Sequence, residues 1–338
     1  MHDAASGTNV HQLSNTTQRR MRADATRRRS IRISTAVLAI AAAIIVAVAP
    51  SSAQLEPQAP ALFRGRTDLV SVGVTVAGKK QRLVTDLNIS DFAVYEDGKP
   101  QQIFAFASGA EVGPPLHIGV LLDISGSQGL DLPFTQTAVI RFLTALPDVV
   151  DVTFIDFASV VRSAVYPQDD FPRLVRRVRD LTAGGETSLY DAIGLYLDGA
   201  SEQDGRKVMV LYTDGGDTHS SLSYKKLMTL LKLSDATVYT IGALEQQPQM
   251  AQLMQRALLS DIASATGGTA FFPSSGKDLD KIYEQVLGEV RAQYRIGYVS
   301  SNEKMDGAWR KVEIKVNRSD IKGLRVRARK GYYAPSKP

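Results

Sequence analysis

The chain has 338 residues, 44% hydrophobic and 22% charged; this is a globular composition that excludes wholesale disorder and collagen-like repeats. It contains no cysteine, which excludes a disulfide scaffold, a thiolate nucleophile and zinc–thiolate or iron–sulfur sites. The net charge is +5, and residues 1–53, with seven Arg and two Asp, account for all of it. The neutral remainder gives no electrostatic reason to expect a nucleic-acid partner.

Arg27-Arg28-Arg29-Ser30-Ile31-Arg32 precedes Ile33 to Ala49, a run of seventeen residues in which all but Ser34 and Thr35 are apolar. Pro50 closes the run, and Ser51-Ser52-Ala53 offers small residues to a signal peptidase. A basic head, an apolar middle and a small-residue exit predict a secretory signal over 1–53, and hence a periplasmic, envelope-held or secreted product. The alternative is a retained membrane anchor, because seventeen residues approach a spanning length. Seven of the seventeen are alanine, a weakly inserting residue, which favours cleavage.

Residues 54–68 are rich in Pro, Gln and Ala and read as a linker. Val70, Val72, Val74 and Val76 then alternate with smaller residues, the period of a half-buried strand. Phe92 to Tyr95 runs into Glu96-Asp97-Gly98-Lys99, where Asp-Gly marks a tight hairpin, with Ile103 to Phe106 expected as the returning strand. Residues 54–112 are thus expected to form a small β module.

After Gly113-Pro114-Pro115 the texture changes. Ile118 to Leu122, Val152 to Phe157, Val208 to Tyr212 and Val238 to Ile241 are short apolar runs, as in strands covered on both faces. Helical stripes fall between and after them: Ala138, Val139, Phe142, Leu143 and Leu146; Tyr224, Leu227, Met228 and Leu231; Leu279, Ile282, Tyr283, Val286 and Val290. This alternation predicts an α/β domain over 113–290, a doubly wound and mainly parallel sheet with helices on both faces. From Tyr294 the period returns to two, with Tyr294, Ile296 and Tyr298 and then Val312, Ile314 and Val316. Each flank offers about three strands, too few to stand alone, so 291–338 is expected to pair with 54–112 into one small β domain in which the α/β domain is inserted.

In open α/β sheets ligands sit beyond the carboxyl ends of the strands. The first apolar run ends in Asp123-Ile124-Ser125-Gly126-Ser127, a later loop reads Gly184-Gly185-Glu186-Thr187-Ser188, and the run to Tyr212 ends in Thr213-Asp214-Gly215. Three loops therefore bring two carboxylates and several hydroxyls to one crest. These are hard oxygen donors, suited to Mg²⁺, Mn²⁺ or Ca²⁺ rather than to zinc or copper. A donor set poor in anions leaves the ion attractive to a carboxylate from outside.

Asp123-x-Ser125-x-Ser127, Thr187 and Asp214 resemble the metal-ion-dependent adhesion site of the von Willebrand factor A domain. The resemblance covers about residues 113–290. It implies a Rossmann-like fold and one divalent cation, most readily Mg²⁺, held by Asp123, Ser125, Ser127, Thr187 and Asp214. It also implies a non-catalytic role in adhesion through a partner protein's Asp or Glu carboxylate. Asp91-Phe92, Glu96-Asp97-Gly98 and the terminal Arg329-Lys330-Gly331-Tyr332-Tyr333 are similar to the flanks of bacterial secreted proteins of this type. Gln128 stands where methionine is usual, which alters packing beside the loop and leaves every ligand position filled.

Other chemistries fit less well. A phosphatase nucleophile of the haloacid dehalogenase type wants a second aspartate where Ser125 stands. The sequence has no Gly-x-Ser-x-Gly elbow and no phosphate-binding Gly-x-x-x-x-Gly-Lys loop. A metal-dependent hydrolase at the same crest needs a general base, for which Asp217, Glu186 and two histidines remote in sequence are the candidates. A structural envelope protein with an idle site is the third reading. Asp156 reads as a solvated or capping residue, Asp217 as a helix-start group or one that supports the ligands from behind, His117 as a packed or surface histidine, and Arg173, Arg176, Arg177 and Arg179 as a solvated helix face.

Overall fold

The structure is a computed structural model describing residues 69–109, 114–146, 149–275 and 278–336. The expected signal or anchor and the linker lie outside the described residues. Among the described residues no helix is long and apolar enough to cross a membrane.

The chain begins with strands β1 (Leu69–Ala77), β2 (Phe92–Glu96), β3 (Lys99–Gln101) and β4 (Ile103–Ala107). The α/β part follows, with β5 (Leu116–Asp123), α1 (Leu132–Thr144), β6 (Asp151–Phe157), β7 (Val161–Pro167), α2 (Phe171–Arg179) and α3 (Leu189–Ser201). It continues through β8 (Arg206–Thr213), α4 (Tyr224–Leu233), β9 (Thr237–Gly242), α5 (Gln249–Ala265), β10 (Ala270–Phe271) and α6 (Asp278–Ala292). Strands β11 (Tyr294–Val299), β12 (Trp309–Val316), β13 (Arg325–Ala328) and β14 (Gly331–Tyr333) complete it.

The central sheet runs β10-β9-β8-β5-β6-β7. All its pairs are parallel except β6 with the edge strand β7. Every residue of β5 is buried, as expected of the middle strand of a sheet covered twice. Its side chains alternate between the faces: Val120 and Leu122 join the core under α1, α2 and α6, and Leu121 joins the core under α3, α4 and α5. Gly119 is required there, because a Cβ would stand 2.2 Å from the Tyr196 ring of α3. The apolar stripe of α6 buries Leu279, Tyr283, Val286 and Val290, whereas Leu146 lies beyond the end of α1 and is only partly buried.

The flanking strands form two further sheets, β13-β1-β11-β4 and β14-β12-β2-β3. Each draws strands from both ends of the described chain. One apolar cluster, including Val72, Val74, Phe92, Val94, Tyr294, Ile296 and Val312, serves both. The α/β part is thereby inserted in a small antiparallel β assembly. Asp97 and Gly98, with φ of 48° and 81°, make the turn that the sequence implies. The returning strand differs from expectation: Lys99–Gln101 pairs with β2, while Ile103–Ala107 crosses to pair with β11 in the other sheet. The two-residue turn fixes the register Glu96 with Lys99, so pairing starts at once and the later apolar stretch is free to cover the other layer.

Candidate metal centre

Asp123 is the last residue of β5 and is fully buried. The Ser125 N–H donates to its Oδ1 at 2.9 Å, and the Thr213 hydroxyl donates to its Oδ2 at 2.6 Å. Both oxygens therefore hold donors, and among the described residues neither meets a cationic side chain. Burial is the main force pushing the Asp123 carboxyl up to about 6; the neighbouring Asp214 charge adds to it, and the Ser125 and Thr213 hydrogen bonds oppose it.

The loop after Asp123 is fastened by its backbone. Ile124 N–H donates to the Phe157 carbonyl (2.9 Å), Gly184 N–H to the Ile124 carbonyl (2.8 Å) and Gly126 N–H to the Gly185 carbonyl (3.0 Å). Ser125 is buried and Ser127 exposed, with their hydroxyl oxygens 3.2 Å apart. The second loop is locked to the third: Thr187 N–H donates to Thr218 Oγ1 at 2.9 Å, and the Thr187 carbonyl accepts from Thr218 N–H (2.9 Å) and His219 N–H (3.0 Å). Asp214 is buried and receives one long contact, from Gln247 Nε2 at 3.5 Å. The structure thus brings Asp123, Ser125, Ser127, Thr187 and Asp214 to one crest at the carboxyl ends of β5 and β8.

This donor set fits a hard divalent cation. Two ligands at right angles on an ion with bonds of about 2.1 Å lie about 3 Å apart, close to the spacing of the two serine oxygens. Among the described residues no group of three or more His, Asp or Glu side chains is arranged to hold a metal.

One contributor, Thr213, has no role in the sequence reading, and three residues noted there gain their surroundings from the structure. Thr213 bridges the first and third loops, since its hydroxyl also accepts from Gly215 N–H at 3.0 Å; its place directly before Asp214 was the available signal. Gln128 is buried with its Oε1 unpartnered among the described residues. His219 is remote in sequence but not in space, with Nδ1 2.6 Å from Glu186 Oε2 on the crest. Asp217 accepts from Tyr190 N–H and from the Ser220 hydroxyl, so it serves the start of α3.

Asp156 corrects its expected role. It is fully buried, bound by Arg162 Nε at 2.6 Å and by Arg177 Nε at 2.9 Å. Arg177 consequently leaves the solvated helix face on which it was placed and packs over the Phe154 ring. His117 is buried, with Nδ1 3.0 Å from Asp151 Oδ1 and Nε2 3.0 Å from the Asp204 carbonyl.

The family model for the von Willebrand factor type A domain matches residues 117–285, half of the chain. No curated protein matches the sequence. Among solved structures, the vWF domain of the type V pili tip protein Mfa5 from Porphyromonas gingivalis is 13% identical, covering 53% of this chain and 95% of that one, with a TM-score of 0.44. The von Willebrand factor type A protein from Catenulispora acidiphila is 11% identical over 79% of this chain and 74% of that one, with a TM-score of 0.44. The pilus adhesin SpaC from Lactobacillus rhamnosus GG, in an open conformation, is 11% identical over 76% and 49%, with a TM-score of 0.46. The matched span runs from β5 into α6 and encloses the whole crest, and the chain belongs to the von Willebrand factor type A domain family.

Proposed function

We propose that the protein is an exported, non-catalytic binding module that uses one divalent cation to engage a carboxylate of a partner protein. Ser125, Ser127 and Thr187 hold the cation, with Asp123 and Asp214 beside it, and Mg²⁺ is preferred over Mn²⁺ or Ca²⁺. The observation that carries this reading is the state of Asp123. It is buried, hydrogen-bonded on both oxygens and without a cationic neighbour among the described residues, beneath serine hydroxyls 3.2 Å apart. When bound, the cation supplies positive charge that two carboxylates do not fully screen, and a Glu or Asp from outside gains from it. The β assembly built from residues 54–112 and 291–338 acts as the mount for the α/β domain of residues 113–290.

The test is calorimetric titration with Mg²⁺ and Mn²⁺, followed by capture of envelope proteins with and without EDTA. Asp123→Ala should abolish metal binding, and EDTA should abolish capture. Unchanged metal affinity in the variant, or a partner held undiminished in excess EDTA, overturns the reading.

The Glu186–His219 contact favours a second reading, hydrolysis, because a carboxylate that orients a histidine is a general-base arrangement. Here the two readings part cleanly. Glu186→Gln should leave metal and partner binding intact under the first reading and abolish turnover under the second.

A further inference from the structure

A cavity of about 450 Å³ lies at the end of α4 remote from the crest, bounded by the start of β1, the end of β11 and the C-terminal residues around β14. Leu69, Val70, Leu233, Val299 and Tyr332 supply apolar wall. Its size and lining are those of sites that take small organic molecules. The charged residues at its wall are Arg329, Lys304 and Glu303, a net charge of +1.

Arg329 is the informative one. Its guanidinium lies 5.7 Å from the centre of the Tyr332 ring, and its Nε is sealed from solvent with no hydrogen-bond partner. Among the described residues its guanidinium has neither an ion pair nor a hydrogen bond, in contrast to Arg177, Arg310 and Arg318, which pair with Asp156, Asp306 and Asp320. Burial lowers its pKa from the usual arginine range. The residue as a whole is partly buried, and the charge of Asp235, itself paired with Lys207, acts on it in the opposite sense to burial; with no direct partner among the described residues, the guanidinium is open to a carboxylate from outside. The Tyr332 hydroxyl does not serve, since it donates to Glu96 at 2.9 Å. It leaves its ring as wall and its polar end committed elsewhere.

We propose that this cavity binds a small amphipathic monoanion, its carboxylate on the Arg329 guanidinium and its apolar body along Leu69, Val70 and Leu233. One carboxylate suits the +1 lining, and the planar fork of Arg is matched to it. The apolar walls select against small hydrated anions, which would lose water there without replacement.

The test uses the full chain in EDTA, so that no cation at the crest can take a carboxylate, and titrates it with octanoate and with 1-octanol. Octanoate should bind on the order of tenfold more tightly than the neutral alcohol, as a charge-assisted contact gives. Arg329→Gln should remove that preference and leave octanol binding unchanged. Leu233→Trp, at an exposed position at the mouth, should weaken both ligands, and it decides the matter if Arg329→Gln does not fold. Equal affinity of the unmodified chain for the two ligands, octanoate binding unaltered by either substitution, or no binding of octanoate overturns the proposal.

Discussion

Asp123 at the crest and Asp156 on the neighbouring strand are both fully buried carboxylates, yet they meet opposite surroundings. Asp156 is neutralised by two arginines. Among the described residues Asp123 has hydrogen bonds from a backbone amide and a hydroxyl and no ion pair, although its neighbour Leu122 sits directly opposite Asp156 in the register. A third case, Glu96 in the β assembly, is buried and accepts from the hydroxyls of Tyr298, Tyr332 and Ser300. The comparison teaches that a carboxylate's partners, rather than its burial or its position at a strand end, decide whether it is free to serve a cation. Asp156 is spent on structure, and Glu96 is enclosed by three donors away from the crest. Asp123 has no ion pair among the described residues and lies beside the buried Ser125, whose hydroxyl is 3.2 Å from that of the exposed Ser127.

The widest separation should come from Asp156→Ala. It strands Arg177 in a partly buried position and should cost about 3 kcal/mol, nearer the low end for broken buried pairs because Arg162 is half exposed. Denaturant unfolding measures that loss, and metal affinity should stay within a factor of two. Comparable loss of metal affinity would erase the contrast with Asp123.

Adding a cation should act the other way at the crest. At a hundredfold excess over its dissociation constant, Mg²⁺ should stabilise the protein by about 2.7 kcal/mol. The rise in melting temperature should vanish in Asp123→Ala and persist in Glu96→Gln. A cation-induced rise retained in Asp123→Ala would place the ion elsewhere.

Glu96→Gln should cost about 2 kcal/mol, since an amide oxygen cannot accept from three hydroxyls as a carboxylate does. The loss is read by thermal melting. Substitution without cost would mean that the hydroxyls, rather than Glu96, organise that part of the β assembly.

The subtlest distinction concerns Thr213. Removing its hydroxyl with Thr213→Val frees Asp123 to rotate, and loss of such an orienting partner typically weakens metal binding by about 10- to 100-fold. Calorimetry should detect this, with a smaller change in melting temperature than Asp156→Ala gives. Unaltered affinity would show that Asp123 is oriented by Ser125 N–H alone.

What the sequence determined by itself was whatever is written in short-range periodicity. The apolar runs become β5, β6, β8 and β9, and the stripe from Leu279 to Val290 becomes the buried face of α6. The order of the strand-end loops alone assigns Asp123, Ser125, Ser127, Thr187 and Asp214 to one end of the sheet. These features follow from alternation on a strand, three-to-four spacing on a helix, and the rule that parallel strands end on a common edge.

Only the tertiary structure decided how distant segments share their polar groups. Thr213 reaches Asp123 across 90 residues of sequence, Arg177 leaves a solvated-looking helix for Asp156, and His219 meets Glu186 across a loop. Ile103–Ala107, which reads as half of a hairpin, pairs with β11 from the far end of the chain. None of these has a local signature, because an ion pair or a ladder hydrogen bond constrains only the two groups that make it. Which groups meet is fixed by the packing of the apolar faces between them.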